Sequence, residues 1–131
     1  LTAVIPIDDT IPTNTEGTQI LSATITPKTT TNRIRATVQM FGADSVIADI
    51  AASLFNSQSA AAIAVTGTEC AATYLVPLII TKEHVPGVTT ALTYTVRVGS
   101  SGANLRINGR PSGRLFGGVA AATLILEEIQ A

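Results

Sequence analysis

Residue types that do chemistry are few in this chain of 131 residues, which has one cysteine and one histidine. A cysteine nucleophile needs a base beside it, but Cys70 and His84 stand in separate segments, so a catalytic pair would need both a coincidence of the fold and an orienting acid. A zinc site needs three or four ligands, which these two residues cannot supply. Beside Ala71 and Ala72, Cys70 is expected to be a small buried hydrophobe, with an intermolecular bridge or a reactive thiol as the alternatives. The sequence therefore predicts no catalytic, metal or cofactor site and no enzyme activity.

The acidic residues Asp8, Asp9 and Glu16 form the best candidate cluster for a hard cation such as calcium. Adjacent aspartates in an extended segment point in opposite directions, and the spacing of a calcium-binding loop is absent. Turn-capping or solvated carboxylates are therefore the favoured interpretation. Glu127 and Glu128 alternate faces in the same way near the end of the chain, which does not favour a glycosidase pair.

The composition limits the classes of partner. Charged residues make up 13% of the chain and the net charge is −1, so no concentrated basic patch exists for nucleic acid. No apolar run approaches the ~20 residues of a membrane span. A surface this poor in charge is a weak barrier to association. We therefore expect other copies of the chain to cover part of it.

Glycan binding receives no direct support from the composition, because aromatic residues, which form stacking platforms, are only 4% of the chain. Tyr74 and Tyr94 fall in phase with apolar neighbours and are predicted to point inward. A glycan or receptor site would therefore have to use the polar loops at 82–88 and 99–114. That hypothesis requires the two loops to cluster at one exposed end.

The elements that would position these residues begin with an irregular arm at residues 1–19. Pro6 and Pro12 favour extended or turn backbone. Ile5, Ile7 and Ile11 give the arm an apolar side. We expect the arm to be extended and packed along the body of the domain.

Residues 20–131 are expected to form one β-sandwich domain. Alternating apolar and polar residues predict strands within 20–26, 32–40, 89–99 and 119–129. Residues 45–56 fit either a helix or a strand, and strand is favoured. The apolar run 70–81 suggests burial on both faces, or a subunit interface on one. Residues 27–31 are either a hairpin turn or a crossing between sheets. The pattern predicts an all-β, antiparallel sandwich or jelly roll of about eight strands.

Two framing motifs carry a family resemblance. The first is Ile5-Pro6-Ile7-Asp8-Asp9-Thr10-Ile11-Pro12 with Asn14-Thr15-Glu16-Gly17-Thr18-Gln19, and the second is Arg114-Leu115-Phe116-Gly117-Gly118 with Glu127-Glu128-Ile129. Between them the similarity continues through Thr24-Ile25-Thr26-Pro27-Lys28, Leu54-Phe55, Val96-Arg97-Val98-Gly99 and Asn108-Gly109. With these motifs the chain resembles small β domains of tailed bacteriophages and prophages, which occur in tail-fibre and head-fibre proteins.

The resemblance implies a non-enzymatic virion structural protein, a fibre or spike domain that forms a homotrimer and contacts other virion proteins. Its location would be the virion, assembled in the cytoplasm of a bacterial host. The alternatives are a tip domain that binds a host receptor or glycan, and a capsid-decoration protein that binds the shell through residues 1–19. No catalytic residues are implied.

Overall fold

In the computed structural model, which describes residues 1–102 and 104–131, the chain folds into β-strands and one 3-10 turn. The long strands are β1 (Thr18–Ile25), β2 (Arg33–Ala43), β3 (Ala48–Asn56), β4 (Ala64–Cys70), β5 (Val76–His84), β6 (Leu92–Ser100) and β10 (Thr123–Ile129). Three two-residue strands are β7 (Arg106–Ile107), β8 (Gly109–Arg110) and β9 (Gly113–Arg114), and the 3-10 turn η1 is Phe116–Gly118.

The long strands form two antiparallel sheets. The first sheet has the order β1-β6-β3-β4, and the second has the order β10-β2-β5, with β7 pairing the far end of β2. The strands β8 and β9 form a separate small hairpin. The two sheets pack face to face, which confirms the predicted antiparallel β-sandwich.

The core between the sheets follows from the period-two pattern of the sequence. Inward side chains alternate along the central strands, and they are Ile34, Ala36, Val38 and Met40 on β2, and Leu92, Tyr94, Val96 and Val98 on β6. All of them are almost inaccessible to solvent. Burial of one such side chain stabilises the fold by about 1.5–3 kcal/mol.

The arm covers the outer face of the first sheet. It precedes β1, which begins at Thr18, so the last two residues of the predicted arm belong to the sheet. Its backbone bonds to the body: Leu105 N–H donates to Leu1 O at 3.1 Å and Ala62 N–H donates to Pro12 O at 2.9 Å. Ile5 is buried, whereas Ile7 and Ile11 are exposed. The arm thus lies along the body, and of its three isoleucines only Ile5 is buried.

Strand β3 is buried on both faces, a property that the sequence suggested for residues 70–81 instead. The arm lies beside the outward residue Ala51, and the outward residues Ser53 and Phe55 are also buried. The strand assignment for residues 45–56 is thus confirmed in β3, and the helical alternative is wrong.

The run 70–81 contains a turn rather than one strand. Strand β4 ends at Cys70, Thr73 adopts a φ of 64°, and β5 begins at Val76. Outward Ile79 on β5 is exposed, so burial of this run on both faces is wrong for the single chain. Residues 27–31 cross from one sheet to the other, because β1 and β2 lie in different sheets. Among the described residues, no helix reaches the length and apolarity that crossing a bilayer requires.

Candidate functional site

The residues with nucleophile or base chemistry lie far apart. Cys70 is buried at the β4–β5 turn, and His84 is the last residue of β5. A nine-residue strand spans roughly 26 Å at about 3.3 Å per residue, so the two lie at opposite ends of the sandwich. His84 Nε2 instead lies 2.6 Å from the hydroxyl oxygen of Tyr94. The fold therefore does not bring Cys70 and His84 together.

Two of the three acidic residues of the arm, Asp8 and Glu16, cap turns, whereas Asp9 is exposed. The Asp8 carboxylate accepts from the Thr10 hydroxyl and from Thr10 N–H at 2.8 Å, and these two bonds lower the pKa of Asp8. The Glu16 carboxylate accepts from Thr13 N–H at 3.0 Å. Within residues 1–102 and 104–131, no three acidic, cysteine or histidine side chains come close enough to hold a metal ion. The turn-capping interpretation of Asp8 and Glu16 agrees with these contacts.

The two glutamates of β10 have separate roles. The Glu128 carboxylate accepts from Lys28 N–H at 2.6 Å and from Asn32 Nδ2 at 2.7 Å, and it ties the β1–β2 connection to β10. The Asn32 hydrogen bond is the main cause that lowers the pKa of Glu128. Glu127 faces outward and lies 4.0 Å from Arg35 Nη1.

The loops proposed for receptor binding do not cluster. Strand β5 extends through His84, so the first loop is 85–91 rather than 82–88, and it ends where β6 begins at Leu92. The second loop follows Ser100, the opposite end of β6; its position 103 lies outside the described residues. The hypothesis of one tip built from both loops is therefore wrong. Tyr74, predicted to point inward, is 68% exposed, because it belongs to the β4–β5 turn.

A cleft of about 450 Å³ with a polar lining lies on the outer face of the first sheet. Outward residues of β6 and β1 form its floor, the β3–β4 loop forms one wall, and Asn14 of the arm lies at its side. We call this the polar cleft; its lining is Asn14, Gln19, Phe55, Asn56, Ser57, Gln58, Ser59, Ala60, Thr93, Thr95 and Arg97. The lining contains amides, hydroxyls and one guanidinium, but no carboxylate.

Hydrogen bonds hold both walls of the polar cleft. Asn14 N–H donates to Ala60 O at 2.9 Å, which joins the arm to the β3–β4 loop. Thr93 N–H donates to Ser57 Oγ at 3.2 Å, and Gln58 N–H donates to Asn56 Oδ1 at 3.0 Å. These bonds fix the loop backbone against β6. The cleft is thus formed before any ligand binds.

Arg97 is the single charged residue of the polar cleft, and the arm holds it. Its Nε donates to Glu16 O at 2.6 Å and its Nη2 donates to Gly17 O at 2.8 Å. It pairs with Gln19 across the β1–β6 ladder. Ser53, its partner across the β3–β6 ladder, has a buried hydroxyl with no hydrogen-bond partner. Two backbone carbonyls therefore orient the guanidinium, whose Nη1 has no partner among the described residues.

The second sheet presents a different outer face, which we call the apolar face. It carries Ile79 of β5 and Ile125 of β10, each more than half exposed, beside Phe41 and Pro77. Phe116 packs its ring edge against Phe41, with the ring centroids 6.1 Å apart. Arg35, at one end of this face, lies 2.8 Å from the Glu83 carboxylate.

Sequence reasoning missed the polar cleft because its residues come from distant segments. Gln19, Thr95 and Arg97 are the polar members of alternating strands, a pattern typical of any half-exposed sheet. The register Gln19↔Arg97, which joins β1 to β6, is what makes them neighbours. The one local signal is the polar stretch Asn56-Ser57-Gln58-Ser59, whose composition by itself indicates only a turn.

Comparisons of the sequence with known protein families and with curated proteins give no match. The resemblance to phage virion domains therefore stays a prediction from the motifs of the sequence.

Proposed function

We propose that this chain is a non-enzymatic structural domain of a bacteriophage virion, of the fibre or spike type, that assembles as a homotrimer. The observation that supports self-association is the apolar face of the second sheet. Phe116 and Val119 beside it are 69% and 88% exposed. Several large exposed apolar side chains on one sheet face favour an interaction site there.

The charges at the end of the apolar face favour a second copy as its occupant. Arg33 and Arg35 of β2 lie opposite Ile129 and Glu127 of β10, and Glu83 of β5 lies opposite Arg35. These outward side chains comprise two cations and two anions. Because the face has no net charge, two copies do not repel each other, whereas a strongly charged partner would gain nothing from it.

The size of the apolar face favours more than one contact surface per subunit. Three strands of about seven residues cover roughly 300 Å² in projection, at about 4.8 Å between strands and 3.3 Å per residue. A stable interface buries about 800 Å² on each partner. In a closed ring every subunit contributes two different patches, so each subunit would add a second surface to the apolar face. A ring fits a homotrimer, whose number of subunits comes from the resemblance alone.

Light scattering after size exclusion tests the self-association directly. We expect a particle of three times the 13.5 kDa chain mass at micromolar concentration. The double variant Ile79→Lys/Ile125→Lys should be monomeric with an unchanged circular dichroism spectrum. Ile47→Lys is the matched control, because Ile47 is exposed on the β2–β3 loop, away from the face. A stable monomer of the unsubstituted chain would overturn the proposal.

The virion setting needs its own test. An antibody against this domain should decorate fibres or spikes on particles whose genome encodes the chain. Absence of the chain from purified particles would reject the virion location and assembly in the host cytoplasm. Labelling of the shell surface instead would favour the capsid-decoration alternative. In that case Ile7 and Ile11 are the contact candidates, because the arm backbone already bonds to its own body.

A further inference from the structure

We propose that the polar cleft binds a short acidic saccharide, with Arg97 contacting its carboxylate. This inference is independent of self-association, because the cleft lies on the first sheet and the apolar face on the second. It also replaces the overturned hypothesis of a tip built from the two loops with a site of different residues.

Unused hydrogen-bonding capacity in the cleft indicates a ligand with many hydroxyls. Among the described residues, the side chains of Gln19, Thr95 and Asn14 make no hydrogen bond, although the Asn14 backbone N–H donates to Ala60 O. Amides and hydroxyls both donate and accept, as sugar hydroxyls do. Gln19 and Thr95 lie on adjacent strands of the cleft floor. A saccharide would satisfy several of these groups at once.

Arg97 gives the site a preference for an anion. Nε and Nη2 already bond to the Glu16 and Gly17 carbonyls, which leaves Nη1 for a ligand. The two carbonyls also remove most of the freedom of the side chain, so a ligand binds a guanidinium that is already oriented. No carboxylate lines the cleft to neutralise it. A sugar carboxylate is therefore favoured over an uncharged sugar of the same size.

Other ligand classes fit the polar cleft less well. Single-stranded nucleic acid needs exposed aromatic rings and several cations, whereas Phe55 is buried and Arg97 is the one cation of the lining. A peptide strand needs a free sheet edge, whereas on the cleft floor only Gln19 belongs to the edge strand β1, and Thr93, Thr95 and Arg97 belong to the central strand β6. The cleft volume of about 450 Å³ lies within the range of about 300–1,000 Å³ that is usual for small-ligand sites.

Nuclear magnetic resonance titration of the whole chain tests the proposal, with trigalacturonic acid as the acidic probe and maltotriose as the uncharged control. We expect trigalacturonic acid to shift the side-chain amide signals of Asn14 and Gln19 and the Nε–H signal of Arg97. Since the floor has no stacking ring, affinity should be weak, with a Kd of about 1 mM. Maltotriose should bind at least about fivefold more weakly, as expected for loss of a charge-assisted hydrogen bond.

Substitutions separate binding from folding. Thr95→Val keeps the shape of the side chain and should weaken binding about fivefold through one lost hydrogen bond. Thr81→Val, on the outer face of the second sheet, is the matched control and should leave binding unchanged. Gln19→Glu places a negative charge beside Arg97 and should abolish the preference for the acidic probe.

Two results would overturn the proposal. The first is the absence of signal shifts in the cleft at about 10 mM probe, which is ten times the expected Kd. The second is equal binding of the acidic and uncharged sugars, which would remove the role given to Arg97. Neither result depends on the oligomeric state, which light scattering on the same samples measures separately.

Discussion

Ile5 lies directly over Gly99, and a Cβ at position 99 would stand 2.8 Å from the Cγ1 atom of Ile5. A Cβ at position 17 would also stand 2.8 Å from the Cγ1 atom of Ile5. The arm approaches this closely because the sheet has no side chains there. In the register of the first sheet, Gly99 pairs with Ala51 and Ala51 pairs with Gly67, so a row of small residues crosses β6, β3 and β4.

Gly99→Ala should therefore loosen the arm. The new methyl group meets backbone as well as the Ile5 side chain, so we expect a loss of about 1–3 kcal/mol in the free energy of unfolding. Hydrogen exchange should quicken at Ser100 N–H and Gly17 N–H, which donate to Ala3 O and Val4 O of the arm. Urea unfolding and exchange mass spectrometry measure the two effects.

Gly67→Ala is the matched control for this prediction. A Cβ at Gly67 would lie 3.5 Å from the Ile50 carbonyl oxygen, which is an ordinary contact. We expect its stability to change by no more than about 0.5 kcal/mol. If Gly99→Ala proved as stable as Gly67→Ala, the close packing of Ile5 on the sheet would be disproved.

The ionised carboxylate of Asp44 should stabilise the fold, and protonation at low pH should remove this contribution. Burial acts to raise the pKa of Asp44, but hydrogen bonds from the Ser100 hydroxyl and from backbone N–H groups outweigh it, and the pKa lies below 3.8. The folded state thus releases this proton more readily than the unfolded chain does. The contribution is complete above about pH 3.8 and is lost as pH falls through the pKa of the folded state.

Asp44→Asn tests this role. The amide cannot replace all the bonds of the carboxylate, which accepts from Ser100 Oγ at 2.6 Å and from Val46 N–H at 3.2 Å. We expect a loss of about 1–3 kcal/mol at pH 7, with a smaller loss at acid pH. Asp49→Asn, half-exposed on β3, is the control. Parallel pH profiles for Asp44→Asn and the unsubstituted chain would contradict the prediction.

His84 should make the fold less stable in weak acid. Burial, and then the charge of Lys82, lower the pKa of His84 below 6.5. The unfolded chain therefore binds a proton at a higher pH than the folded chain. Stability is complete above about pH 6.5 and falls as pH drops toward the pKa of the folded state. Because the chain has one histidine, its imidazole resonance reports this pKa directly, and a midpoint at or above 6.5 would refute the prediction.

Tyr94→Phe removes the partner of that imidazole. The hydroxyl lies 2.6 Å from His84 Nε2, in a side chain that is fully buried. We expect a loss of about 1 kcal/mol at pH 8, measured by thermal or urea unfolding. Tyr74→Phe provides the comparison, because Tyr74 is exposed and should tolerate loss of its hydroxyl. Equal effects of the two substitutions would show that the His84–Tyr94 bond contributes nothing to stability.

The sequence predicted which side of each strand faces the core better than it predicted which strands pair. Alternation fixes which side of β2 and β6 faces the core, so Val38 and Val96 could be placed inside from the pattern alone. The pattern contains no information about which strands pair. The polar cleft needs Gln19 beside Arg97, and the arm needs Gly99 beside Ala51; both depend on register between distant segments. Tyr74 was misplaced because the turn at Thr73 interrupts the alternation.

Cys70 should be unreactive in the folded chain. Its side chain is inaccessible, and its Sγ lies 3.0 Å from Ala71 O and 3.1 Å from Tyr74 O, so the thiol is enclosed by its own turn. Labelling by a thiol reagent then requires opening of the structure. We expect it to be slower than in the denatured chain by at least about 10³-fold, the lower end of unfolding equilibria. The control is Ile47→Cys in a Cys70→Ala background, whose exposed thiol should label at once. Rapid labelling of Cys70 without denaturant, or a disulfide-linked dimer on a non-reducing gel, would show that the β4–β5 turn opens independently of the core.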